Sequence, residues 1–200
     1  MKLKTLSTLI LATLAIAANA QAINFKVGTG NATQQIAQVE SATDFETFTG
    51  RTDKVTGAIS FDPAKKTGSG RLVIDAASIS TGIDLRDEHM RSEGWLNTEK
   101  FKTITFEVSK VKHVKGNSYD VTGKFTMHGV TKNITTRVEV KHIKESEATR
   151  NARFKGDVLQ VKANFNVKLS DFGIKIPAPA KDKVATTVRI SVTVYGQSKG

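Results

Sequence analysis

The 200-residue chain contains no cysteine, which excludes disulfides, thiol nucleophiles, Cys-ligated zinc and iron–sulfur clusters. Aromatic residues make up only 6% of it, and none interleave with a basic stripe on which nucleobases would stack. Beyond the amino-terminal residues no apolar run is long enough to cross a bilayer as a helix. The four histidines form no HxH or HExxH pair, and no GxSxG elbow is present. Gly68 and Gly70 belong to a hairpin turn rather than to a phosphate-binding loop. Hydrolytic, metal-dependent and nucleotide-dependent chemistries therefore lack their usual residue patterns.

What is present begins with an address. Met1, Lys2 and Lys4 precede an apolar run from Leu6 to Ala18, followed by small residues at Ala18, Ala20 and Ala22. This pattern predicts a signal peptide over 1–22, cleaved after Ala20 or Ala22, and a periplasmic mature protein. About 178 residues remain, enough for one domain over 23–200 with a core that needs no disulfides. The net charge of +11 includes Lys2 and Lys4, so the mature chain keeps +9. Its basic residues are spread over alternating strand positions and turns, as on a solvated outer face that protects sheet edges. Nucleic acid is not an expected partner. Transient contact with an anionic membrane surface is compatible with the charge. The oligomeric state stays open, a homodimer being one option.

Period-two alternation dominates the mature chain. One face carries Val55, Gly57, Ile59 and Phe61; Leu72, Ile74 and Ala76; Ile104, Phe106 and Val108. It continues with Tyr119, Val121, Gly123 and Phe125; Ile134, Thr136, Val138 and Val140; then Leu159 to Val167 and Val184 to Val194 at every second position. These are seven strands, and an eighth, weaker one is expected around Gln35 to Ser41. The apolar faces hold no charge and only Tyr119, Thr136 and Thr186 as polar groups. Large residues (Phe61, Phe106, Phe125, Phe165) alternate with small ones (Gly57, Ala76, Gly123, Ala163). Such a barrel is either filled by its own side chains or keeps a narrow apolar tunnel, with Gly123 and Ala163 as the expected open places.

One segment departs from this period. From Ser80 to Lys100 the spacing of Leu85, His89 or Met90, and Glu93 predicts a short helix across one barrel end, with Asp84 as N-cap and Gly94 as stop. Asp87, His89 and His128 are the remaining candidates for catalysis or metal binding. Hydrogen bonds that order the helix and the turn are the simpler role for them.

The run GAISFDPAKKTGSGRLVIDAASISTGIDLRDEHMRSEGWLNTEKFKTITF, from Gly57 to Phe106, closely resembles the YceI-like family of periplasmic polyisoprenoid-binding proteins. So do YDVTGKFTMHGVTKNITTRVEV, from Tyr119 to Val140, and LSDFGI, from Leu169 to Ile174. The resemblance implies an all-β, lipocalin-like, eight-stranded antiparallel barrel with a short helix between two strands, holding a long apolar chain and lacking catalytic residues. Its helix motif falls on Thr81, Gly82, Arg86, Asp87, His89 and Arg91, and its turn motifs on His128, Gly129, Val130 and Thr131 and on Asp171, Phe172 and Gly173. The stretch QIAQVESATDFETFTG, Gln35 to Gly50, departs from the family in lacking a His-Ser pair and a further histidine. Trp95-Leu96 stands where an aromatic pair is usual, and the loop IPAPAKDKV is basic.

The expected function is therefore periplasmic carriage of a polyisoprenoid, quinone or fatty-acid-like lipid, with no other cofactor and no metal. The alternatives are a structural or stress-response barrel without cargo, a quinone-linked redox accessory, and an enzyme using Asp87, His89 and His128. The expected lipid path runs along Phe61, Ile74, Phe106, Val121, Phe125, Phe165 and Ile190, with Trp95 and Phe172 at the mouth.

Overall fold

Strands with one apolar face must bury that face, and an antiparallel sheet that curls until its edges meet does so without a second layer. The computed structural model describes residues 21–29 and 34–199 and shows this solution. The expected signal peptide lies outside the described residues apart from Gln21 and Ala22.

The strands are β1 (Ile23–Val27), β2 (Ile36–Ala42), β3 (Thr47–Thr52), β4 (Val55–Asp62), β5 (Thr67–Asp75), β6 (Thr103–Lys115), β7 (Ser118–Met127), β8 (Val130–Ile143), β9 (Val158–Lys168) and β10 (Thr187–Gln197). All pairings are antiparallel, and β4 to β10 form a continuous meander. β1 closes the ring by pairing with β4 along its length and with β10 at Lys26 opposite Gln197 and Val27 opposite Gly196. The same edge of β10 continues onto β2, with Thr193 opposite Ile36 and Arg189 opposite Glu40. Hence β1 and β2, which both pair with β10 along one side, together take the place of one strand of the ring. Their neighbours β3 and β4 act as one strand kinked at Asp53-Lys54. Counted this way, the expected eight-stranded all-β barrel is observed.

Two expected details differ. Val184 and Thr186 precede β10, because the Val184 amide closes a turn onto the Ala180 carbonyl and the Thr186 carbonyl accepts from Leu169. The helix α1 (Asp84–Arg91) is capped by Ile83, with Asp84 inside its first turn, and it ends at Ser92 rather than Gly94. Asp84 is no N-cap because a different carboxylate, that of Asp87, organises the chain entering the helix. It accepts the Thr81 amide at 2.8 Å and the Thr81 hydroxyl at 2.7 Å, and also the Ser80 hydroxyl.

One end of the barrel is packed with aromatic side chains. There Phe25 is fully buried beside Phe61, Tyr119 and Leu159. Helix α2 (Glu147–Asn151), with a Ser146–Thr149 capping box, leads to Phe154, which packs with Val158 and Tyr195. The other end carries α1, the His128-Gly129 turn, the β2–β3 turn and the 169–186 segment.

Candidate functional site

The inward faces of the barrel surround an apolar cavity of about 150 Å³. An engineered apolar cavity of about this size holds one benzene. Seven residues of the expected lipid path line it: Phe61, Ile74, Phe106, Val121, Phe125, Phe165 and Ile190. Ala163 also lines it. Thr136 does too, but its hydroxyl is spent on the Asn164 carbonyl at 3.1 Å. Gly123 is not open space. A Cβ there would lie 2.6 Å from Cζ of Phe106 and 2.5 Å from the Glu107 carbonyl, so the Phe106 ring already occupies the place expected to be free.

At the helix end lies a groove of about 680 Å³, within the roughly 300–1,000 Å³ typical of small-molecule sites. Val39, Ile79, Ile104 and Ile190 belong to both linings, so the two spaces adjoin. One wall is α1 and the residues after it, with Leu85, Met90, Trp95 and Leu96; the opposite wall is the Pro177–Val184 segment. Trp95 therefore lies at the mouth as expected. Phe172 does not. It is 3% exposed, lines neither space, and packs edge-on against Phe125 at 5.4 Å between ring centroids. The SDFGI turn tucks its phenyl ring into the core because Gly173, in the left-handed region at φ 74°, reverses the chain immediately afterwards.

The motif residues around the mouth tie loops to the barrel rim. Arg91 Nε donates to the Ala77 carbonyl at 2.8 Å, and Arg91 lies 4.0 Å from the Asp87 carboxylate. Arg86 pairs with Glu46 of the β2–β3 turn and lies 4.5 Å over the Phe48 ring. Burial alone would raise the Asp87 pKa, but the hydrogen bonds from Ser80 and Thr81 and the Arg91 charge outweigh it and hold the group below the ordinary aspartate range. His128 and Gly129 occupy a two-residue hairpin turn with positive φ at both positions, between the paired Met127 and Val130. The His128 ring packs on Phe101 at 4.6 Å, and its Nδ1 lies 2.9 Å from the Phe172 carbonyl, which pins the SDFGI turn to the hairpin. Asp87 and His128 are thus engaged in separate structural contacts, whereas His89 is exposed on α1 and lines the groove. The described residues hold no cluster of three or more His, Asp or Glu side chains with metal-binding geometry.

A family model described as the YceI-like domain matches residues 16–195. The chain belongs to the YceI-like family. Its curated relatives include a UPF0312 protein of Pseudomonas aeruginosa (strain LESB58), 34% identical over 140 residues that cover 68% of each chain. A UPF0312 protein of Vibrio parahaemolyticus is 31% identical and covers 70% of this chain and 74% of its own. Among solved structures, this YceI-like barrel is similar to BcnA of Burkholderia cenocepacia, with a TM-score of 0.70, 24% identity, and coverage of 84% of this chain and 99% of that one. It is also similar to a polyisoprenoid binding domain from Saccharophagus degradans, with a TM-score of 0.66, 21% identity, and coverage of 88% and 99%. At these identities the two structures bear on the fold alone.

The β2–β3 turn, whose Glu46 holds Arg86, escaped sequence reasoning. Its signal was an acidic residue beside an aromatic, Glu46 and Phe48, in the stretch that departs most from the family.

Proposed function

We propose that this YceI-like barrel is a non-catalytic carrier of a long apolar chain of polyisoprenoid or fatty-acyl type, working in the periplasm after removal of its signal peptide. The observation that carries the reading is the apolar lining shared between the groove at the barrel mouth and the cavity inside the barrel. A chain entering tail-first exchanges water for hydrocarbon along this path, and each buried CH₂ contributes about 0.8 kcal/mol. The relative from Saccharophagus degradans, named as a polyisoprenoid binding domain, supports the same ligand class. Asp87 and His128 have hydrogen-bonding roles in the folded chain, which leaves a catalytic assignment without a matched acid–base pair.

A second reading, a packed barrel without cargo, draws on the small inner volume and on the Phe106 ring that covers Gly123. Mass spectrometry of the natively purified periplasmic protein separates the two. The carrier reading expects a near-stoichiometric long-chain lipid in the organic extract and an intact mass starting at Gln21 or Ile23. An extract without such a lipid supports the packed barrel, and an intact mass starting at Met1 overturns the compartment.

A further inference from the structure

The inner cavity offers nothing to a polar headgroup. Its inward hydroxyls at Thr52 and Thr136 are hydrogen-bonded to Ser78 and to the Asn164 carbonyl, and the other inward side chains are aliphatic or aromatic, while Gln38, Ser69, Arg71 and Thr105 border it from strand positions that alternate with the inward ones. A cargo with a head and a tail must therefore enter tail-first and leave its head in the groove. Four ionisable side chains line that groove: Glu46, Arg86, His89 and Lys183. Glu46 and Arg86 neutralise one another in an ion pair that also covers Phe48. Among the described residues, neither Lys183 nor His89 enters an ion pair. They reach the groove from different elements, His89 from α1 and Lys183 from the end of the proline-containing segment. No unpaired acid lines the groove, so its charge surplus is positive.

We infer that the groove selects amphiphiles with an anionic head, a carboxylate or a phosphate, held at Lys183 and His89 while the tail runs inward. This inference rests on the carrier reading and names the ligand class within it. An alkyl or isoprenyl chain with a neutral head fills the same apolar space but leaves the Lys183 ammonium without a counter-ion beside an apolar surface. Lys183 and His89 are both exposed at the rim of the groove, so an anionic head there stays partly hydrated and gains a charge-assisted contact of surface strength while its tail is buried.

The chain's single tryptophan, Trp95, lines the groove, so its emission reports occupancy without a label. The test titrates delipidated mature protein with two matched pairs in low salt near neutral pH: hexadecanoate against hexadecanol, and farnesyl phosphate against farnesol. Each anion should bind about three- to fivefold more tightly than its alcohol, equivalent to about 0.7–1 kcal/mol. Lys183→Gln should bring the ratio within about twofold while the alcohols keep their affinity, and His89→Gln should lower it partly. Lys181→Gln, a neighbouring lysine that does not line the groove, should leave the ratio intact. A preference in both pairs assigns the charge itself, and a preference in one pair assigns that headgroup. Equal binding of anion and alcohol, or a ratio that survives Lys183→Gln, overturns the inference and leaves the carrier reading standing. Failure of all four to bind overturns the carrier reading itself.

Discussion

Ala163 and Gly123 occupy inward positions on β9 and β7, yet enlarging them should have opposite consequences. Ala163 lines the cavity, flanked by Val138 on β8 and Val192 on β10. Replacing it with Leu adds three carbons. At about 25 Å³ per carbon, the ratio set by benzene in a cavity of this size, they occupy roughly 75 Å³. That is about half of the 150 Å³ available. About three cargo carbons lose their place, at about 0.8 kcal/mol each, so lipid affinity should fall by about 2.4 kcal/mol, or roughly fiftyfold. The lipid-free protein should melt within about 3 °C of wild type, because the new side chain enters empty space. Gly123→Leu instead drives a Cβ against the Phe106 ring and the Glu107 carbonyl, and the backbone oxygen cannot step aside. Overpacking of this kind costs about 1–3 kcal/mol, and each kcal/mol shifts the melting temperature by about 2–4 °C in a chain of this length. Trp95 fluorescence titration and thermal melting on delipidated protein measure both quantities. If Ala163→Leu retains lipid affinity, or melts as early as Gly123→Leu, the cavity is not the tail site.

Two further outcomes follow from the mouth. Asp87→Asn should cost about 1–3 kcal/mol in urea unfolding, because the Ser80 and Thr81 donors lose a charged acceptor. A carboxylate whose pKa is lowered on folding stabilises the fold above its unfolded value near pH 4, and this contribution fades as the pH falls through the folded value. The difference between wild type and Asp87→Asn should therefore be flat above about pH 5 and shrink below about pH 4. A difference that stays constant down to about pH 2 rules out the ionised carboxylate as its source. Arg86→Ala and Glu46→Ala should each loosen the groove, and their double-mutant cycle should show a coupling of about 0.5–1 kcal/mol, since both side chains are about a quarter exposed. Additive effects would show that the pair does not hold the β2–β3 turn to α1.

The inward face was legible because alternation is a direct imprint of burial: a strand with one wet face can only place its apolar residues at every second position. That is why seven of the nine expected lipid-path residues line the inner cavity, and why Trp95 lies in the groove. Phe172 was not legible, because alternation stops at the turn and the direction of its ring is decided by Gly173 and the His128 contact. Gly123 reads as a gap in a pattern of sizes, but a neighbouring ring can lean into such a gap, and sizes alone do not reveal it. β1 and β3 escaped for different reasons. INFKV is short and follows the expected export segment directly, and TFTGRT is rich in threonine, with its buried positions at Gly50 and Thr52. The Asp84 cap failed because a helix start with an acidic residue at its head is a common pattern, whereas the carboxylate that fastens this one sits three residues later.

The seam between β1 and β10 also orders events in time. Residues 26 and 27 meet residues 197 and 196, and residues 36–40 meet residues 189–193, so the contacts that close the ring join strands far apart in sequence. The meander from β4 to β10 grows by pairing consecutive strands, through tight hairpins at β4–β5, β6–β7 and β7–β8 and through longer connections at β5–β6, β8–β9 and β9–β10. β1 can pair with β4 early, but it cannot complete the ring until the final strand exists. In a chain delivered amino end first, the ring stays open until β10 is available to pair with β2 and β1. Until then the apolar interior faces water, and the risk of edge-to-edge association is greatest.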